Sequence, residues 1–263
     1  MIKPPVPAYT TINFRQVRYL TTWKKGSGLL ALMVSIALGS FLLLLIVAFF
    51  TQAANQNREL LLRLQLQHEL HKVLHLMSKD IARSGFYHIQ QTLEQSNVAL
   101  FNHADGTATT ITQANREAVN SCLLFWYDLD HSGCVGSQQG AHCQSEQRNS
   151  SNEIQKELFG YRLKSKMIET RAMYKNGTIQ ACEQAQCNGY IAEKGCDTRG
   201  WVDLLDTDTY QINLLRFSWL ANRKGVLAEI GGSYKKQPKI HYQSAVVILL
   251  NNRLAQGSQT VSP

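Results

Sequence analysis

The residues best suited to chemistry are six cysteines, and Cys122, Cys134, Cys143, Cys182, Cys187 and Cys196 all fall in one stretch of the chain. Zinc prefers two close pairs of Cys or His ligands. Only Cys182 and Cys187 have such a spacing, and no second pair completes the set. An even number of cysteines behind an export-like N-terminus predicts disulfides in an oxidising compartment, with the connectivity left open. A bridge from Cys122 to Cys196 would close a loop of roughly 70 residues and contribute about 4 kcal/mol by the chain-entropy argument.

Three further groups invite a chemical reading. Asp128, Asp130 and Ser132, followed by Gly133, open like a calcium loop, but Gln139 stands where a bidentate glutamate is expected. An Asp/Ser/Gly turn after a strand has the same composition. His68, His71 and His75 share one helix face, yet HELH is not the H-E-x-x-H of a zinc protease, so they read as a solvated polar face. Lys235, Lys236, Lys239 and His241, with Tyr234 and Tyr242 interleaved, could touch a nucleic-acid backbone or form a solvated strand or loop. The nucleophile elbow, the P-loop and the Rossmann glycine pattern are all missing, so no enzymatic activity and no cofactor are expected.

The elements that carry these residues follow from charge and periodicity. The chain has 263 residues, a net charge of +8, 44% hydrophobic and 17% charged residues. Lys3, Arg15, Arg18, Lys24 and Lys25 lie in residues 1–26 with no acid, so most of the excess charge sits in a short arm and argues little for nucleic acid. Leu29 to Phe50 is almost wholly apolar and long enough to cross a membrane, for which ~20 residues suffice. Lys24 and Lys25 before it predict a cytoplasmic N-terminus and an extracytoplasmic remainder. The run is too long for the apolar part of a cleaved secretory signal, and Thr51-Gln52-Ala53-Ala54 is a poor cleavage site, so the span is expected to stay.

Beyond it Leu62, Leu66, Leu70, Val73, Met77 and Ile81 recur at intervals of three or four, one face of an amphipathic helix that Gly85 should end. No proline falls between residues 8 and 237, so a single helix from Leu29 to Arg83, roughly 80 Å long, is predicted. Gly39-Ser40 is its expected flex point. Strands are predicted at Cys122–Tyr127, Phe159–Leu163, Met167–Thr170, Ile212–Leu220, Val226–Ile230 and Ala245–Leu250. Lys164-Ser165-Lys166 reads as a hairpin turn, and 131–152 and 175–200 as disulfide-stapled loops. Short connections favour an antiparallel sheet, which would bury the helix stripe. The fold class is therefore α+β, organised as an arm 1–26, a membrane half-helix 27–50, an amphipathic half-helix 51–85 and a β-rich head 86–263.

Lys24-Lys25-Gly26 followed by Ser27-Gly28-Leu29-Leu30-Ala31 and the apolar run resembles the class III signal of type IV prepilins and type II secretion pseudopilins. Lys79–His88 (KDIARSGFYH), Cys122–Gly133, Phe159–Arg171 and Cys196–Leu204 are similar, in order, to blocks of PilW-type minor pilins. These include the prepilin peptidase-dependent protein B group, related to the J-type pseudopilins of type II secretion. The resemblance implies a pilin-like fold and a leader cut by prepilin peptidase between Gly26 and Ser27. It also implies a single-pass inner-membrane protein with a periplasmic head, which moves to the tip of a pilus or pseudopilus on assembly. Other minor pilins and the major pilin are the implied partners. Members usually carry phenylalanine where this chain has Ser27 and glutamate where it has Ala31. A carboxylate in lipid is costly unless a neighbour pairs it, so Ala31 implies a terminal or initiating position. The function expected is assembly of a type IV pilus or competence pseudopilus. Alternatives are a tip subunit binding DNA or another ligand, a minor pseudopilin of type II secretion, and an uncleaved envelope anchor.

Overall fold

The computed structural model describes residues 27–91, 93–103, 106–137, 140–171 and 182–252. Gly26 and Gln139 lie outside them. The chain divides into two compact units, Met1–Gln56 and Asn57–Pro263. A helix, α1, runs from Ser27 to Ile81.

In the first unit α1 is apolar on every side, and its large side chains are exposed all round, from Leu29 at 73% to Phe50 at 66%. It is the described helix long and apolar enough to cross a membrane. The hydroxyls here find partners inside the helix, as a lipid surrounding would require. Ser35 donates to the carbonyl of Leu32, Ser40 to that of Ala37 and Thr51 to that of Ala48. The helix passes through Gly39 and Ser40 without a break.

In the second unit Leu66, Leu70, Val73, Met77 and Ile81 are buried along one stripe, with Leu74 added to it and Leu62 partly covered. The stripe packs against two antiparallel sheets rather than one. The larger has the order β1-β2-β5-β6-β7, with β1 at Thr109–Thr112, β2 at Cys122–Trp126, β5 at Leu158–Lys164, β6 at Met167–Arg171 and β7 at Trp201–Asp203. The smaller has the order β10-β9-β8, with β8 at Tyr210–Trp219, β9 at Gly225–Tyr234 and β10 at His241–Leu249. A two-residue pair, β3 (Gln144–Ser145) and β4 (Arg148–Asn149), and a short helix, α2 (Gln184–Gly189), lie in the cysteine-bearing loops.

β2 explains the uninterrupted run CLLFW, since all five residues are buried. Leu123 and Phe125 face the α1 stripe together with Ile212, Phe217, Ile230 and Ile248. Cys122, Leu124 and Trp126 face a second core with Phe101, Ile154, Leu158 and Ile191. Strands buried on both faces lose the polar alternation of a half-exposed strand.

Three local devices set the geometry. Tyr161 donates its hydroxyl to Asp80 at 2.6 Å, tying β5 to α1. Gly85, at φ +74, closes the turn that follows the helix, donates to the carbonyl of Trp126, and lies so close to the Asn252 carbonyl that a Cβ would sit 2.5 Å from it. The β5–β6 turn uses Ser165 and Lys166, both at positive φ, the conformation of a two-residue hairpin turn.

Candidate assembly interface

Among the described residues, the three-stranded sheet has one side without a paired strand. The outer edge of β8 is tied to the larger sheet, with Ile212 donating to the carbonyl of Lys166 and Phe217 to that of Asn120. β10, at the other side, pairs with β9 alone among the described residues. Its residues alternate: Ile248 is buried and Val246 half-buried, while Val247 and Leu249 are 55% and 57% exposed. From Tyr242 to Asn252 there is neither a charge nor a proline. Natural edge strands are usually blunted by lysine, proline or a bulge, because unpaired N–H and C=O groups template another strand. A long uncharged edge is therefore a feature suited to joining another polypeptide.

The basic cluster beside this strand is split by the fold. Lys235, Lys236 and Lys239 stand exposed in the β9–β10 turn, but Tyr234 is buried against Tyr210, their rings 5.1 Å apart. Tyr242 shares a hydrogen bond with His71 at 2.9 Å. The tyrosines that could stack on bases are thus turned towards the protein. Asp206, whose carboxyl is held below its usual range chiefly by the Thr209 hydroxyl, then by the Asp208 amide and by Lys235, adds acid beside the lysines. His68 and His75 are exposed on α1 with His71.

Asp128, Asp130 and Ser132 fall in the loop after β2, and the fold brings in Glu157, which sequence reasoning missed. Oxygens of Asp128, Asp130 and Glu157 lie within 4.8 Å of one another. They serve the main chain. Asp128 accepts from the amides of His88, Ser132 and Gly133, Asp130 from Ser132, and Glu157 from Leu129, Asp130 and Gly136. The Ser132 hydroxyl donates to the Gly136 carbonyl. Burial pushes the Glu157 carboxyl up to about 8, against the pull of the Gly136 and Leu129 amides and with help from the charges of Asp130 and Asp128. Glu157 carried no sequence signal because it is 27 positions beyond Asp130 and reaches the loop only through sheet pairing.

The cysteines pair as Cys122–Cys196, Cys134–Cys143 and Cys182–Cys187. The first joins β2 to the 3₁₀ turn Glu193–Asp197, and the other two each close a short loop. The Cys182 and Cys187 sulfurs are therefore bonded to each other rather than arranged as a zinc half-site. Between the two short loops lies an open groove of about 890 Å³, crossed by the Arg148–Glu183 ion pair at 3.2 Å. Cysteines held as disulfides and carboxylates occupied by amides form no nucleophile–base pair among the described residues.

The family described as prepilin peptidase-dependent protein B matches residues 59–250. A protein of Haemophilus influenzae, described as an uncharacterized protein, is 39% identical over 231 residues, covering 87% of this chain and 97% of its own length. No solved structure matches.

Proposed function

The chain belongs to the prepilin peptidase-dependent protein B family, and on that premise we propose that it is a non-enzymatic minor pilin that initiates or caps a type IV pilus or competence pseudopilus. Residues 1–26 are the leader, cut between Gly26 and Ser27 by prepilin peptidase. Residues 27–50 anchor the subunit in the inner membrane with the N-terminus in the cytoplasm, 51–85 carry the helix into the periplasm, and 86–263 form the head. Other minor pilins and the major pilin are its partners. The observation that carries this reading is α1 itself. One half is apolar and exposed all round, as lipid or neighbouring helices require, and the other buries a single stripe in the head. Ala31 supports a terminal place, since a subunit with nothing above it has no amine to pair with a carboxylate.

Intact mass of the membrane-extracted protein, with and without active prepilin peptidase, tests the first step. Loss of residues 1–26 only in the strain with the peptidase is expected; full length in both strains means a static anchor. The open edge supports contact between heads. Val247→Lys is exposed, so stability should change by no more than about 0.5 kcal/mol, while co-purification of partner pilins through β10 should be lost. Unchanged co-purification rules that edge out as the contact.

A further inference from the structure

Lys235, Lys236 and Lys239 stand exposed on the β9–β10 turn, with no carboxylate in ion-pair range among the described residues. Contacts with α1 fix where on the head this turn lies. Arg58 and Leu62 share a cleft of about 180 Å³ with Tyr234, Lys236 and Gln237. Farther along the helix Gln65 donates to the Tyr210 hydroxyl at 3.3 Å, and His71 bonds Tyr242 at 2.9 Å. Near the helix end the Ala82 carbonyl accepts from Asn252 at 3.4 Å. β10 therefore runs alongside α1, and its turn lies at the end where the chain enters the head. The apolar run stops at Phe50, eight positions before Arg58. Chain length alone thus keeps Arg58 within about 29 Å of the end of the span.

Charge on this rim is lopsided. Four cations, Arg58 and the three lysines, face two carboxylates, Asp206 and Asp208. Asp206 is occupied by the Thr209 hydroxyl and the Asp208 amide. The acids on the adjoining part of α1 are matched by their own cations, Glu59 by Arg63 at 2.8 Å and Glu69 by Lys72 at 3.8 Å. Segments 1–26, 172–181 and 253–263, outside the described residues, contain neither Asp nor Glu. We propose that the β9–β10 turn is a docking surface for an anionic lipid bilayer, with Arg58, Lys235, Lys236 and Lys239 against the phosphate headgroups. The cleft between Arg58 and Lys236 is the place for one headgroup. This rests on α1 as a membrane anchor, not on cleavage or pilus assembly. Lipid is favoured over nucleic acid because Tyr234 and Tyr242 face the protein, and because the span tethers the turn near the bilayer. Tethering raises the effective concentration of the surface, so contacts worth about fivefold per cation suffice.

The test places full-length protein in lipid nanodiscs of phosphatidylcholine, with or without phosphatidylglycerol. Acetylation of each lysine by an uncharged reagent is followed by mass spectrometry. Lys235, Lys236 and Lys239 should react at least about fivefold more slowly in the anionic discs. Added salt should restore their rates, because screening shortens the reach of the surface charge. Lys224, exposed at the opposite end of β10 beside Leu250, should react alike in both discs. A second arm combines Lys235→Gln, Lys236→Gln and Lys239→Gln, all at exposed positions. Phosphatidylglycerol should raise the thermal midpoint of the wild-type head more than that of this variant. Equal lysine rates in the two discs, or a midpoint gain that the variant keeps in full, overturns the proposal. Protection by added duplex DNA in phosphatidylcholine discs, with none from phosphatidylglycerol, overturns it in favour of nucleic acid. Protein absent from the discs would overturn the anchor and the docking together, whereas anchored protein with equal rates overturns the docking alone.

Discussion

Replacing Cys122 and Cys196 together by alanine is expected to remove about 4 kcal/mol of stability from the head, more than the loss of either other disulfide. The bridge spans 74 positions, and the entropy it removes from the unfolded chain grows with the logarithm of loop length. The same argument gives about 2.5 kcal/mol for Cys134–Cys143 and about 2 kcal/mol for Cys182–Cys187, with separations of 9 and 5. Position reinforces the ranking. Cys122 belongs to β2, which contributes to both cores, and its bridge pins the Glu193–Asp197 turn over Leu124, where Gly195 allows the close approach. Denaturant midpoints for the three double variants, prepared under oxidising conditions, would measure the order. Equal losses would show that the short loops, rather than the long closure, dominate.

The second large effect belongs to Glu157. Glu157→Ala leaves the amides of Leu129, Asp130 and Gly136 without their acceptor in a buried loop, at a cost of about 2–4 kcal/mol. Glu157→Gln tests the charge instead. The unfolded chain releases this proton near the ordinary value of 4.5, whereas the folded head keeps it until about 8. Between those values the folded state holds one more proton than the unfolded state, so stability falls as pH rises through the window. The contribution is fully present below about 4.5 and is lost as pH passes about 8. Wild type should therefore lose on the order of a few kcal/mol across the window relative to Glu157→Gln, in which the slope is absent. Identical slopes in the two proteins would mean that the amides hold the carboxylate ionised throughout.

Much of the architecture was legible because its signals are local. The period of three to four from Leu62 to Ile81 located the stripe that α1 buries, and Gly85 marked the end of the helix because left-handed φ favours glycine. Strand positions were legible from apolar runs, but their ends were not. β10 begins at His241 rather than Ala245, since its first residues are polar on the exposed side, and β8 begins at Tyr210 rather than Ile212. β7, α2 and the β3–β4 pair were missed: at two to six residues each, they are too short to show a period. That the strands form two sheets was also not legible, because strand runs alone do not state their partners.

The sequence by itself determined the apolar span, the amphipathic stripe, the concentration of cysteines and the family, all carried by residue types at short spacing. Only the tertiary structure decided which cysteines pair, that Glu157 joins Asp128 and Asp130, that Tyr234 faces inward while its lysines face out, and that β10 pairs with β9 alone among the described residues. Each of these depends on contacts between distant segments. Such contacts are fixed by packing and main-chain hydrogen bonding across the sheets, which the order of residue types does not encode locally.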